Sequence, residues 1–201
     1  RMQSLEYARS FLAARILLDK INANMIISGA FGLFEKKTVI AVGGYDNSTM
    51  GEDMELVVRL HEFSRMNRKP YKIDFAQDAI CWSQTPEKLS ELGKQRKRWQ
   101  RGLFQCMWGH RKMLANPRYG AVGLLSYLYF LLYELLSPFI ELLGVLTMVL
   151  SVVMDMLNVK FMLVFLACYA LYGILLTLTA YFSRIYTIDQ RFSFRELILA
   201  I

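Results

Sequence analysis

Apolar and polar positions are distributed unevenly along the 201-residue chain. Charge interrupts the apolar residues throughout the first part and almost vanishes after Arg118. Phe161–Ser183 holds no Asp, Glu, Lys or Arg, and at about 1.5 Å per residue a helix of that length covers roughly 30 Å of hydrocarbon. Between Arg118 and Asp155 the only acids are Glu134 and Glu141. The pattern predicts a helix that enters from the interface, kinks near Pro138 and spans by about residue 154. A link at 155–160 turns the chain, a second span covers 161–183, and a third begins at about 196. The basic flanks of the first two spans then face the same side, which the positive-inside bias makes the cytoplasm.

Upstream, the periodicity is that of a mixed α/β domain over residues 1–93. Leu5, Ala8, Phe11, Leu12 and Ile16 recur at helical spacing over 3–20. A short apolar run at 25–27 leads through the small-residue turn 28–32 to a strand at 33–34, Thr38–Val42 precedes the turn Gly43-Gly44-Tyr45, and 71–75 and 79–82 predict short strands. Residues 52–65 and 87–114 carry helical periodicity, and Asn116-Pro117 stops the second helix. Residues 94–118 form a basic amphipathic interfacial helix, and residues 119–201 form the membrane region.

Charge sharpens this division. The net charge is +7, yet residues 1–91 hold twelve basic and twelve acidic side chains, whereas 92–118 hold eight basic and no acidic ones. The whole excess sits at the edge of the apolar region. That placement fits the cytoplasmic boundary of a membrane protein, a phosphate or diphosphate partner, or both. It does not fit a nucleic-acid binder, because lipid-length segments adjoin it and it lacks interleaved stacking aromatics on a soluble surface. No secretory signal peptide is visible. Cys81, Cys106 and Cys168 lack metal-ligand spacing and read as free structural cysteines in a reducing compartment.

Two places carry candidate chemistry. Gly51-Glu52-Asp53 sets two carboxylates at the start of a helix, where one can be held stiffly as a general base toward a hydroxyl; acids at helix starts also occur for dipole reasons alone. Gln95-Arg96-Lys97-Arg98-Trp99 reads Q-x-x-R-W. On a helix, positions 95, 98, 99, 102 and 106 share a face. Arg98 offers a planar fork of donors suited to a diphosphate leaving group. Trp99 offers a flat face to a sugar ring, and Gly102 leaves room beside it. Glu55 reads as a solvated or Arg59-paired acid. Glu134 and Glu141, seven apart, share a helix face across Pro138 and read either as interfacial acids, paired with a basic residue or capping the kink, or as contacts to passing hydroxyls.

Together these motifs resemble the processive family 2 glycosyltransferases, the cellulose, hyaluronan and poly-N-acetylglucosamine synthases. The resemblance covers nearly the whole chain, from Glu6-Tyr7 through Ser28-Gly29-Ala30-Phe31-Gly32, Gly43-Gly44-Tyr45, Gly51-Glu52-Asp53 and Gln95-x-x-Arg98-Trp99 to the spans. It implies the C-terminal half of a GT-A nucleotide-diphospho-sugar transferase domain followed by transmembrane helices. Asp53 takes the place of the family's general base, with Glu52 supporting it. Gln95, Arg98 and Trp99 match the motif that covers donor diphosphate and acceptor sugar. Ser28, Gly29 and Phe31 belong to the segment lining the acceptor side.

The implied reaction is inverting transfer from a nucleotide-diphospho-sugar donor to a growing polysaccharide at the cytoplasmic face of the plasma membrane. The resemblance also implies a divalent cation, Mg or Mn. The D-x-D motif that holds it in the family is absent here: Glu52-Asp53 is adjacent, and Asp74 and Asp78 are four apart. The chain therefore reads as a portion lacking the donor and metal sites, expected to be inactive alone. A lipid-linked single-sugar transferase shares the Asp base and usually lacks Q-x-x-R-W. A non-enzymatic membrane protein with a basic lipid-binding helix leaves Gly51-Glu52-Asp53 unexplained.

Overall fold

A computed structural model describes residues 15–29, 31–76, 79, 81, 84, 86 and 88–188. Leu17–Ser137 forms one compact unit. Its helices are α1 (Ile16–Lys20), α2 (Lys36–Ala41), α3 (Glu52–Met66) and α4 (Leu89–Gly109). Two 3₁₀ turns, Arg111–Met113 and Pro117–Tyr119, lead into a helical run. That run is π at Val122–Ser126, α at Tyr127–Tyr129 (α5) and π again at Phe130–Leu135. A second unit contains the apolar helices that follow: α6 (Ser137–Val153) and α7 (Val159–Ile188).

α3 is the centre of the first unit because it is apolar on two sides. Leu56, Val57 and Leu60 bury against Ile73, with Ile27, Phe34, Val39, Val42 and Tyr71 around them. Met54 and Val58 face the other way, into a cluster with Met25, Cys106, Met107, Met113 and Val122. A helix buried on both sides has little freedom to shift, so whatever its ends carry is held in place.

The expected strands do not form a sheet: among the described residues there is no strand. The apolar run 38–42, ahead of the glycine turn, lies in α2 and its end. Val39 and Val42, three apart, point into the Leu56 cluster, a helical spacing. Gly43 and Gly44, at φ +93° and +76°, then close the helix, Gly44 donating to the Val39 carbonyl at 2.9 Å. Local capping outweighs the strand preference of the β-branched residues.

Residues 71–75 are extended, but side chains satisfy their backbone. The Asn22 amide donates to the Tyr71 carbonyl and accepts from the Ile73 N–H, both at 2.9 Å, as a neighbouring strand would. Asp19 accepts the Phe75 N–H at 2.6 Å. Of the expected strand 79–82, and of the helix expected over 3–20, only parts fall within the described residues, and the span expected at 196 lies outside them.

Val159–Thr179 is the one helix among the described residues long and apolar enough to cross a membrane unaided. Val122–Leu135 with Ser137–Val153 meets the same test as a broken pair. The link between α6 and α7 turns at Asp155, at φ +55°, and Asn158 starts α7 by accepting the Phe161 N–H at 3.1 Å. The break in the first apolar run falls at Leu136, just before Pro138. Proline lacks the N–H that would bond the Glu134 carbonyl. The Gln100 amide supplies donors in its place, at 3.5 Å to that carbonyl and 3.0 Å to that of Leu135. Because the helix is interrupted between Glu134 and Glu141, the seven-residue spacing of a continuous helix does not carry across.

Candidate active site at the head of helix α3

The head of α3 is open. Gly51 occupies the cap position with no side-chain cap, and Glu52 behind it is exposed. Asp53 is half-buried, and both of its carboxylate oxygens are engaged. Oδ2 accepts the Gly29 N–H at 3.0 Å and Oδ1 accepts the Met54 N–H at 2.8 Å. One bond comes from the helix start and the other from the 28–32 turn, so the carboxylate is oriented from two elements while its remaining lone pairs stay available.

The Q-x-x-R-W helix meets this head through backbone. A Cβ on Gly102 would lie 2.7 Å from the Gly51 nitrogen and 2.9 Å from its Cα; one on Gly51 would lie 3.1 Å from the Gly102 Cα. A side chain at Gly102 does not fit without the helices parting, and one at Gly51 would push the Gly102 backbone back by a few tenths of an ångström. Gly102 thus makes room for the head of α3 rather than for a ligand beside Trp99. Gln105 fixes the approach, its Oε1 accepting the Met50 N–H at 3.0 Å. Cys106, one turn on, is buried, and its thiol is pushed up to about 12, by burial first and then by the charges of Glu55 and Asp53. It is neither a nucleophile nor a metal ligand in that state.

The five-residue stripe on α4 therefore divides. Gly102 and Cys106 are buried against α3, and the stripe then runs past the head of α3 into solvent. Trp99 stands three residues, roughly 4.5 Å of axial rise, before Gly102. It is 39% exposed, with the Arg96 guanidinium 5.1 Å from its ring centre. Arg98 is exposed and Gln95 half-buried. Ser28 and Phe31 are exposed on the turn whose Gly29 holds Asp53, and the turn closes through the Phe31 N–H to the Ser28 carbonyl at 3.0 Å. Asp53 touches Gly29 directly; its relation to Arg98 and Trp99 runs through the Gly51–Gly102 contact.

Behind Asp53 lies a cluster the sequence reading missed. Glu55 is paired with Arg59 at 2.8 Å, as spacing suggests, but it is buried rather than solvated. Arg59 also donates to the Val42 and Gly44 carbonyls at 2.7 and 2.6 Å, which locks the Gly43-Gly44 turn to α3. His110, at the end of α4, sits between Glu62 at 2.6 Å and Glu55 at 3.3 Å. Burial, the largest influence, opposes its charged form, but hydrogen bonds to Glu55 and Glu62 and their charges outweigh it and leave the pKa raised.

His61 is the opposite case. Fully buried, it is pushed down to about 4 by desolvation despite a hydrogen bond to Asn24. A carbonyl can only accept, so Nε2 donates to Asn24 at 2.7 Å, and Nδ1 accepts from the Tyr71 hydroxyl at 2.7 Å. Spacing on α3 places His61 in the core, but only long-range contacts reveal either histidine's partners.

Among the described residues no three His, Cys, Asp or Glu gather to hold a metal ion. The implied divalent cation therefore finds no ligand set in them, and no step below runs through it. All three cysteines are unpaired.

The family model described as Glycosyl transferase family group 2 matches residues 1–188, and the chain belongs to that family. Poly-beta-1,6-N-acetyl-D-glucosamine synthase of Staphylococcus aureus (strain COL) is 33% identical over 116 residues, 58% of this chain and 25% of that protein. The protein of the same name from Staphylococcus epidermidis (strain ATCC 35984) is 32% identical over 116 residues, with the same shares. The chain thus matches about a quarter of the length of these relatives. No solved structure matches it.

Proposed function

We propose that this chain carries the acceptor-activating and leaving-group part of a membrane polysaccharide synthase. In this reading residues 1–93 belong to a GT-A catalytic domain of α/β type, and the apolar helices cross the plasma membrane with the catalytic part on the cytoplasmic side. The basic stretch 94–118 lies at the interface not as the single helix expected from its periodicity but as the rest of α4, which ends at Gly109, and the two 3₁₀ turns after it. The relatives named above support N-acetylglucosamine as the transferred sugar and a growing polymer as acceptor. The observation that carries the reading is the pairing of Asp53, held by the Gly29 N–H, with an α4 whose backbone comes close to the head of α3 because residues 51 and 102 are both glycine.

The chemistry follows from those placements. Asp53 takes the proton of an acceptor hydroxyl, and that oxygen attacks the anomeric carbon of the donor from the face opposite its diphosphate. The new C–O bond forms as the bond to the diphosphate oxygen breaks, which inverts the anomeric configuration. Arg98 neutralises charge on the departing nucleoside diphosphate through its paired N–H donors. Trp99 stacks on the acceptor sugar, and the exposed Ser28 and Phe31 border the acceptor's path. Gln95 and Glu52 orient the groups beside them.

Glycine substitutions in the intact enzyme test this directly. A methyl group at Gly102 meets backbone, whereas Gly93, on the same helix, has open space around it. Gly102→Ala is expected to cut transfer of radiolabelled sugar by about 10²-fold, the cost of displacing a catalytic group by about 1 Å. Gly93→Ala is expected to leave transfer within about twofold. Equal rates for the two variants would remove the basis of the reading.

A further inference from the structure

The tail of α3 carries a second feature. A cavity of 660 Å³ opens there, lined by Arg65, Arg68, Lys69 and Arg118 together with Asn22 and Tyr71, and among the described residues no acidic side chain lines it. Its size is that of a small-molecule site. Arg68, Lys69 and Arg118 are exposed and Arg65 is half-buried, so water screens their mutual repulsion, and the positive potential they share favours an anion in the cavity.

The backbone shows the same bias. Arg68, just past the C-terminal end of α3, has φ +51°, and the chain closes there through the Lys69 N–H to the Ser64 carbonyl at 2.9 Å. Glycine is the residue that adopts this conformation without penalty; an arginine stands in its place, on the cavity wall.

The cations are set from separate elements. Arg65 donates from its Nε to the Tyr71 hydroxyl at 2.9 Å and lies over the Tyr71 ring, 5.4 Å from its centre; among the described residues its terminal nitrogens make no hydrogen bond, which leaves them for a ligand. Its guanidinium packs on Gly120, where a Cβ would lie 3.3 Å away; this contact brings the Pro117–Tyr119 turn, and Arg118 with it, to the cavity. Lys69 lies with its Nζ 5.0 Å from the Phe63 ring centre, a weak hold that a ligand can displace. Arg118 precedes by four residues Val122, where the first apolar run begins.

We infer that this cavity binds a phosphate group, its most immediate source being the headgroup of an anionic lipid beside the first apolar helix. The lipid source rests on the membrane reading above, whereas the phosphate chemistry rests on the cavity alone. Guanidinium forks match phosphate oxygens, and a lysine adds a point charge. The site lies at the opposite end of α3 from Asp53, so it is distinct from the place of the nucleotide diphosphate.

Calorimetry on the detergent-solubilised intact enzyme tests it, with inorganic phosphate and short-chain phosphatidylglycerol as probes. One saturable equivalent is expected, weakened about tenfold or more in Arg118→Ala/Lys69→Ala. Arg68→Gly is expected to weaken binding while raising the thermal midpoint, which separates ligand loss from misfolding. Lys36→Ala/Lys37→Ala, exposed cations elsewhere, is expected to change nothing. Tighter binding of the lipid than of inorganic phosphate assigns the headgroup; equal binding assigns a free phosphate and removes the membrane part alone. No saturable binding of either probe, or equal affinities in all variants, would overturn the site.

Discussion

The two ends of helix α3 obey the same electrostatic rule and reach different results. Glu52, Asp53 and Glu55 stand in its first turn and Arg65 in its last, as the helix dipole favours. At the head, however, the acids are separated by partner: Glu52 is exposed, Asp53 is held by backbone donors and Glu55 is buried with Arg59 and His110. At the tail the bases are pooled around one cavity. Dipole preference explains which residue types occur at each end; only tertiary contacts explain why Asp53 is held by two backbone donors and why four cations line one cavity.

The sharpest way to probe the head is through the leaving-group side. Arg98→Ala in the intact enzyme is expected to lower kcat by about 10²–10³-fold, the scale of losing a preorganised charge partner. Arg98→Lys recovers only part, because an ammonium cannot form the paired bonds. A kcat unchanged by Arg98→Ala would leave the head with a base and no electrophilic partner.

Next in size is the charged cluster behind the head. His110 has a raised folded pKa, so its stabilisation is fully present below the unfolded value of about 6.5 and is lost as pH rises through the folded value. His61 works the other way. Its folded pKa of about 4 means that stability falls as pH drops from about 6.5 toward 4. His110→Gln is expected to cost about 1.5–3 kcal/mol at pH 6 and to flatten the decline of the thermal midpoint on the alkaline side, leaving the acid limb intact. Midpoints measured from pH 4.5 to 9 show whether the two limbs separate.

Trp99→Ala is expected to raise KM for a soluble acceptor oligosaccharide several-fold, by about 1–1.5 kcal/mol. The smallest effect belongs to Gln100→Ala, about 1 kcal/mol of stability, since it removes the donor that serves the carbonyls freed by Pro138.

What the sequence makes legible is local. Helices α3 and α4, the proline break and the apolar runs follow from periodicity and length, and Asp53 and Arg98 stand out by motif. The strands do not follow. At 71–75 the alternation is genuine, but the Asn22 amide and Asp19 carboxylate occupy the backbone that a partner strand would take. At 38–42, which the sequence places only as a run before a glycine turn, the chain is a short helix that Gly43 and Gly44, both at positive φ, close. Helix spacing sets Gly102 beside Trp99 but carries no information about what packs across that face, which is the head of α3. His110 gave no local signal, since its partners lie 48 and 55 residues away.

The most direct test concerns one carboxylate. With Asp53→Asn in the intact enzyme, single-turnover transfer at saturating donor should drop by about 10²–10⁴-fold while nucleotide-sugar affinity, measured separately, stays within about twofold. Near-normal turnover from the amide variant would mean that some other group deprotonates the acceptor and that the head of α3 is not where the reaction is driven.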